Sequence, residues 1–416
     1  MGQAEAARWF DVFDEILSGS HLWRPDQLAP SVEAAVVRLG MRTTVWLVDY
    51  EQITLRALPV PGRETPSPVL VDGSLPGRAF ARVESMPAAA DGDRHRWWVP
   101  MVNGTDRLGV VEFVVTATGD AQEPDFLRRC EVLAGLIGHL ITTSSERGDH
   151  FDVVRRSREM STASELLWQM VPPLTASCDR AVVSAVLQPC YEVGGDGFDY
   201  TLDGAVAHLV ILDAVGKGLR AALACAVALA AIRVERRAGR GLREQASAAD
   251  MALLEQFSDA RFATAVLGQL DLDTGRLRYL NAGHPAPLLL RDGKLVRELP
   301  GARRMPLGLA DPQMHIAEAT LERDDRLLFY TDGVTEARTP GGERFGLSRL
   351  VGLVERHARS DLAAPEMLRR LSHAVIEHQG GLPDDDATLL LAEWSEAAVP
   401  RTVPTTGRPA TNEEPR

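Results

Sequence analysis

Apolar residues recur at helical spacing from the start of the chain, where Trp9, Phe10, Phe13, Ile16 and Leu17 mark a short amphipathic helix ending near residue 20. LAPSVEAAVVRLG then reads as a helix closed by Gly40. TTVWLVD reads as a strand, because β-branched and aromatic side chains suit a pleated, buried surface. ITLRAL predicts a second strand, and SLPGRAFARVES a short helix with a proline in its first turn. RWWVPMV and RLGVVEFVV predict two strands joined by a turn at Asn103-Gly104, and DFLRRCEVLAGLIGHLITT predicts a long amphipathic helix. Helix, strands, helix, strands, helix describes a small α/β unit over about residues 22–145.

The stretch SERGDHFDVVRRSREMSTASELLWQMVPP is polar, then amphipathic, and stops at Pro172-Pro173. It predicts a linker helix whose apolar end is Leu166, Leu167, Met170 and Val171. Beyond Arg180 the period shortens to that of strands. AVVSAVLQP predicts one strand, and DYTLDGAVAHLVIL a hairpin around Asp203-Gly204. GLRAALACAVALAAIRVERR predicts an alanine-rich helix. ATAVLGQLDLDTGRLRYLNAG and APLLLRDGKLVREL carry further hairpins turning at Thr274-Gly275 and Asp292-Gly293. RLLFYTDG and ATLLLAEW predict two more strands, with helices near residues 347–358 and 365–378 between them. Many hairpin-linked strands with segregated helices indicate an α+β layered fold. The expected order is an N-terminal helix (1–21), an α/β unit (22–145), a linker helix (146–173), an α+β unit (174–396) and a Pro- and Thr-rich disordered tail (397–416).

Composition adds little to this and excludes something. The net charge of −13 argues against a nucleic-acid partner, since phosphate backbones are bound by basic surface. The most apolar run, Ala221 to Ile232, is about half the length a membrane span needs, so no membrane insertion is expected. The first residues lack the basic-then-apolar pattern of a secretory signal, and a cytoplasmic protein is expected. Cys130, Cys178, Cys190 and Cys225 form no CxxC pair and have no histidine at zinc spacing; free thiols in a reducing compartment are the expectation.

Four acidic residues stand at strand ends or turns. Asp196 lies in VGGDGFD, where glycines allow tight bends around a carboxylate. Asp213 ends the apolar strand HLVIL, Asp332 follows LLFY, and Asp385 lies in DDDAT just before LLLAEW. One aspartate after a strand is usually a turn former. Four of them suggest a carboxylate cluster at a sheet edge, which is how oxygen-loving cations are held. Converging carboxylates in a partly dry site stay ionised together only if cations neutralise them. Two cations then activate a bridging water and stabilise charge on a phosphoryl group, with no covalent nucleophile required. The chain has no GxSxG elbow, no Cys-x5-Arg loop and no Walker loop.

The motifs VGGDGFD, DAVGKG, ATA, NAGHPAP, MPLGL, FYTDGVTEA, RFGL and DDDATLLL follow one another as in the SpoIIE/RsbU-type phosphatases, which belong to the metal-dependent, protein phosphatase type 2C-like (PPM) superfamily; the resemblance covers about residues 160–395. It implies an αββα sandwich of two antiparallel sheets, with two Mn2+ or Mg2+ ions at one edge. By matching position, Asp213 touches both ions, Asp332 and Asp385 complete one shell, and Asp196 with the backbone carbonyl of Ala214 completes the other. Asp386 is the rival of Asp385. Asp199 and Glu336 read as supporting or surface carboxylates, His284 as a turn residue capping its loop, Lys217 as solvated and Thr264 as structural. Two positions depart from the pattern. Gly197 stands where the family commonly has an aromatic, a change that loosens the loop and widens access. Val215 stands where many related phosphatases carry a histidine, so no leaving-group acid is visible.

Residues 22–145, with RLGVVEFVV before a long exit helix, resemble a GAF domain; an uncommitted dimerising scaffold is the alternative. Trp46, Trp97 and Trp98 are candidates to line a ligand pocket, although aromatics on strands commonly serve as core. The two resemblances together imply an enzyme that hydrolyses phosphoserine or phosphothreonine on a regulatory protein. The expected substrate is a phosphorylated anti-anti-sigma (STAS) protein. A small-molecule or protein signal is expected at the GAF-like domain, and a second copy of the chain as a homodimer partner. The rivals are a catalytically silent module that binds a regulatory partner, and hydrolysis of a small phosphate ester at the same site.

Overall fold

The computed structural model of the chain describes residues 2–91, 94–116, 124–188, 190–192, 194–259, 261–360, 362–381 and 385–404. Its contacts divide the chain into one unit over Met1–Ser157, with Pro400 onward, and a second over Arg158–Val399.

The first unit runs α1 (Gly2–Ser20), α2 (Leu28–Val36), β1 (Met41–Val48), β2 (Thr54–Ala57), β3 (Val69–Leu70), α3 (Leu75–Arg82), β4 (Met86–Asp91), β5 (Arg94–Asn103), β6 (Asp106–Thr116), α4 (Pro124–Ser145) and α5 (His150–Arg155). Its six strands form one sheet in the order β3-β2-β1-β6-β5-β4, with every pairing antiparallel. Alternation decides what each face meets. Val45 and Leu47 of β1 join Val12, Ile16, Val32, Leu133 and Ile137 of the helices in one core. Trp46 and Val48 face the other way and pack with Phe80 of α3. Trp46 and Trp98 meet edge to face at 5.8 Å in that second core, whereas Trp97 packs against the first. The short strands β3 and β4 were not anticipated: two residues, and a Met-Pro-Ala-Ala run, are too short or too poor in β-branched residues to signal a strand.

Residues 146–173 hold two short helices rather than one linker helix. Arg156 is extended, and Ser161 starts a new helix by accepting the backbone N–H of Ser164. The second of these, α6 (Thr162–Met170), buries Ala163 and Leu167 in the core of the second unit.

That unit continues with β7 (Thr175–Ser177), β8 (Val182–Gln188), β9 (Asp196–Asp203), β10 (Val206–Ala214), α7 (Leu219–Arg237), α8 (Leu242–Gln256), β11 (Ala263–Asp271), β12 (Arg276–Ala282), β13 (Leu288–Arg291), β14 (Lys294–Glu298), β15 (Arg303–Arg304), β16 (Ala317–Thr320), β17 (Arg326–Tyr330), α9 (Asp332–Glu336), α10 (Gly346–Ala358), α11 (Ala364–Gln379) and β18 (Ala387–Glu393). The strands make two sheets. One is ordered β15-β12-β11-β10-β9 with β16 also on β12, and the other β14-β13-β17-β18-β8-β7; among the described strand pairs only β12–β15 is parallel. Strands buried on both faces explain the near-continuous apolar runs HLVIL, LLFY and LLLA. Val183, Ala185, Leu187 and Leu390 join the core shared with β10, α7 and α8. Val182, Val186, Leu389 and Leu391 point oppositely, toward Leu350, Met367 and Leu371 of α10 and α11. The layers are helices, sheet, sheet, helices, an α+β sandwich as expected.

Helix α8 went unread although its spacing carries it: Leu242, Ala246, Ala249 and Leu253 are all buried. The expected disorder from residue 397 does not begin there. Ser395 accepts the N–H of Ala398, and Val399–Thr402 make a 3-10 turn with Ala398 and Thr402 buried. Residues 405–416 of that tail lie outside the described residues.

Candidate metal centre

Three backbone features place the acidic residues. Strands β9 and β10 pair so that Asp196 lies opposite Asp213, and β10 and β11 pair so that Thr264 lies opposite Asp213 on its other side. Side chains directly opposite in a ladder share a face. Asp332 is the first residue of α9, just past the last strand residue Tyr330 and Thr331. Asp385 and Asp386 immediately precede β18, the neighbour of β17. One edge of the sandwich therefore collects all five aspartates.

Their electrostatics show the convergence. Burial, then Asp332, Asp385 and Asp386, push the Asp213 carboxyl up to about 7. Asp196 is fully buried and is driven well above the usual carboxylate range by that burial and by Asp213 and Asp386; the Thr331 hydroxyl donates to it at 2.7 Å. Asp332, exposed at the edge, is still raised by partial burial, Asp385 and Glu336. Lys217, 64% exposed in its side chain, brings its ammonium to 3.7 Å from Asp385. Among the described residues no three acidic, thiol or imidazole groups stand as a ready-made ligand set. The donors nevertheless fit hard divalent cations, because they are all oxygens and each raises its neighbours' proton affinity until positive charge compensates them.

The two candidates in DDDAT do different things. Asp386 is buried, and its carboxylate accepts the backbone N–H groups of Gly194 at 2.7 Å, Gly195 at 2.6 Å and Asp196 at 3.2 Å. Successive N–H groups converging on one anion form a nest. Asp385 is 62% exposed in its side chain at the open edge. Glycines make these approaches possible. A Cβ on Gly333 would lie 1.8 Å from the Asp386 carbonyl oxygen, and one on Gly195 2.2 Å from the carbonyl oxygen of Ala214. The Ala214 carbonyl thus lies against the glycine turn that leads into Asp196.

Other residues fall outside the cluster. Gly197 does not loosen a loop. It is a buried strand residue, and a Cβ there would lie 2.5 Å from Cys225 Sγ of α7, so the missing side chain serves close helix–sheet packing. Asp199 is buried between Arg233 at 2.8 Å and Arg236 at 2.6 Å, an ion pair that also ties Arg233 to the Met170 carbonyl. Glu336 pairs with Arg344 at 3.5 Å on the surface. His284 is fully buried and burial holds its pKa down to about 3; its Nδ1 lies 2.7 Å from the Thr264 hydroxyl, while Asn281 bonds its backbone N–H and carbonyl. It braces the NAGHP turn as a neutral ring. The sequence links neither residue to the other; the fold shows Thr264, opposite Asp213 in the ladder, bonded to His284. Val215 is partly exposed, and all four cysteines are free.

Residues 203–395 match the family described as Stage II sporulation protein E (SpoIIE). That match covers a little under half of the chain. The match includes Asp213, Asp332 and Asp385 and begins after Asp196. Protein IcfG of Synechocystis sp. is 27% identical over 265 residues, covering 56% of this chain and 41% of that protein. Phosphoserine phosphatase RsbU of Bacillus subtilis is 25% identical over 213 residues, covering 50% of this chain and 62% of RsbU. The chain thus spans about half the length of these curated relatives. Among solved structures, the RsbU and RsbW domains of a Mycobacterium tuberculosis protein align with 29% identity and a TM-score of 0.46, covering 54% of this chain and 62% of that one. No helix of the described residues is long and apolar enough to cross a membrane.

Proposed function

We propose that the SpoIIE-type domain is a metal-dependent phosphatase that removes phosphate from serine or threonine on a regulatory protein, with a phosphorylated STAS-type anti-anti-sigma factor as the substrate class. One observation carries the reading: Asp196, Asp213, Asp332 and Asp385 lie at one open sheet edge, where burial and the neighbouring carboxylates raise the proton affinities of Asp196, Asp213 and Asp332. The names of the relatives, phosphoserine phosphatases among them, support the reaction class. When bound, two Mn2+ or Mg2+ ions supply an activated water and charge stabilisation on the phosphoryl oxygens.

The chain's own residues do the holding. Asp213 lies between the two halves of the cluster and is assigned to both ions, Asp332 and Asp385 to one, and Asp196 with the Ala214 carbonyl to the other. Asp386 is assigned to shaping the Gly194–Asp196 turn, because its oxygens already receive three backbone N–H groups. The exposed Asp332, Asp385 and Lys217 make an accessible edge, which suits a phosphorylated segment on a protein surface better than a small ester held in a closed pocket. The test is hydrolysis of a phosphoserine-bearing STAS protein with Mn2+ and in EDTA. Turnover confined to the metal-containing sample is expected; metal-independent turnover, or release from a small ester but from no phosphoprotein, counts against the assignment.

The N-terminal unit, read as a GAF-like sensor, would set the phosphatase between competent and incompetent states. Support comes from α6, which links the units in sequence and contributes Leu167 to the phosphatase core, with its Met170 carbonyl held by Arg233. Deleting residues 1–150 is expected to change turnover severalfold at equal protein concentration. An unchanged rate would mean that the N-terminal unit exerts no such control. Homodimerisation belongs to the same proposal and is read by sedimentation of the full chain.

A further inference from the structure

A second cluster of charge lies in the N-terminal unit, on the sheet face that carries Trp46 and Trp98. The register puts Arg42, Val114, Arg96 and Ala88 in one row across β1, β6, β5 and β4, and Thr44, Glu112, Trp98 and Met86 in the next. Arg42 and Arg96 stand two strands apart, about 10 Å between backbones, on either side of Val114. Arg94 lies one step along the same face of β5, and Arg63 reaches over from the segment after β2. Among the described residues, Arg42, Thr44, Arg63, Arg94, Arg96 and Glu112 line a cavity of about 130 Å3 together with Ala89 and Val114. That is room for about four waters' share of liquid volume.

Guanidinium groups stay charged at every physiological pH. Among the described residues, two carboxylates contact three of them: Glu112 lies 3.2 Å from Arg96, and Glu33 lies 3.0 Å from Arg63 and 3.9 Å from Arg42. Among the described residues, four guanidinium groups thus stand with two carboxylates, in a chain whose net charge is −13. Arg63 is also fixed in place, donating to the Thr43 carbonyl at 3.1 Å and the Thr44 hydroxyl at 2.9 Å. Planar donors lining a small polar cavity, one of them held by three partners, match the geometry of an oxyanion, which accepts paired N–H bonds from a guanidinium fork. A solvated surface run would not enclose a cavity or hold one arginine with three partners.

We propose that this arginine-lined cavity binds a small ligand through a dianionic oxyanion group, a phosphate monoester or a short dicarboxylate, and is a ligand site of the N-terminal unit. The proposal does not depend on the phosphatase reading. The experiment is calorimetric titration of the full chain with inorganic phosphate and, separately, with succinate, at low ionic strength and in EDTA so that the metal centre cannot contribute. Binding of at least one probe is expected, weakened tenfold or more by Arg96→Gln and by Arg94→Gln. Binding should be unchanged in Asp213→Asn and in the surface control Arg237→Gln. Arg94 lies at the exposed rim, so its variant keeps the wild-type unfolding midpoint and separates lost binding from lost folding. Which probe binds identifies phosphate or dicarboxylate. No binding of either, equal binding by wild type and both arginine variants, or loss in Asp213→Asn would each overturn the proposal.

Discussion

Asp213→Ala is expected to lower phosphoserine hydrolysis by on the order of 1,000-fold or more while leaving the fold intact. The magnitude follows from the position. Asp213 faces Asp196 across one ladder and Thr264 across the other, and Asp332, Asp385 and Asp386 all raise its proton affinity. A carboxylate assigned to both cations carries several kcal/mol of the transition-state stabilisation they provide, and each 1.36 kcal/mol is about tenfold in rate. The fold should tolerate the change, because removing one carboxylate relieves repulsion in the metal-free protein. Circular dichroism and the unfolding midpoint in EDTA check this, with a midpoint equal to or above wild type expected. A variant retaining more than a tenth of wild-type turnover would remove Asp213 from its assigned role.

The second large effect separates Asp386 from Asp385. Asp386→Ala takes the acceptor away from the N–H groups of Gly194, Gly195 and Asp196 at once. Each buried donor left unpaired costs about 1–3 kcal/mol. A loss of at least about 3 kcal/mol is expected, a drop in midpoint of about 6 °C or more for a domain of this size, with activity lost as the turn carrying Asp196 opens. Asp385→Asn, at an exposed position, should stay within about 0.5 kcal/mol of wild type in EDTA. It should instead raise the Mn2+ concentration needed for half-maximal turnover at least tenfold. If Asp386→Ala leaves the midpoint unchanged and Asp385→Asn destabilises, the two roles are reversed.

Much of this site was legible before the fold was known, for a physical reason. A metal-carboxylate edge concentrates its chemistry in short motifs at strand ends, so HLVIL-Asp213 and LLFY-Thr-Asp332 announce themselves as apolar runs that stop on a carboxylate. What stayed hidden depends on which groups meet across the fold. DDDAT offers two adjacent aspartates, and only the nest around Asp386 tells them apart. Gly197 read as loosened loop because its partner, Cys225, is nearly thirty positions away on α7. Thr264 and His284 each looked structural, and their bond beside Asp213 needs the β10–β11 pairing to be seen. The arginine cavity is the clearest case: Arg42, Arg63, Arg94 and Arg96 have no sequence motif in common, and the register of β1, β6 and β5 gathers three of them while Arg63 joins from the segment after β2 through Thr43 and Thr44. The break in the expected linker helix turned on a single Ser161 cap. Helix α8 is faint in the sequence because half of its buried stripe is alanine, Ala246 and Ala249, whose apolar signal is weak.

The central claim is that this aspartate cluster holds the divalent cations that drive phosphate release. The most direct measurement is Mn2+ titration of metal-stripped full-length protein, following bound ion and phosphoserine turnover in the same samples for wild type and Asp213→Ala. The account predicts two ions per chain in the wild type, turnover rising with their occupancy, and loss of both in the variant. Turnover that persists without bound ion, or ions that bind equally well after Asp213→Ala, would contradict it.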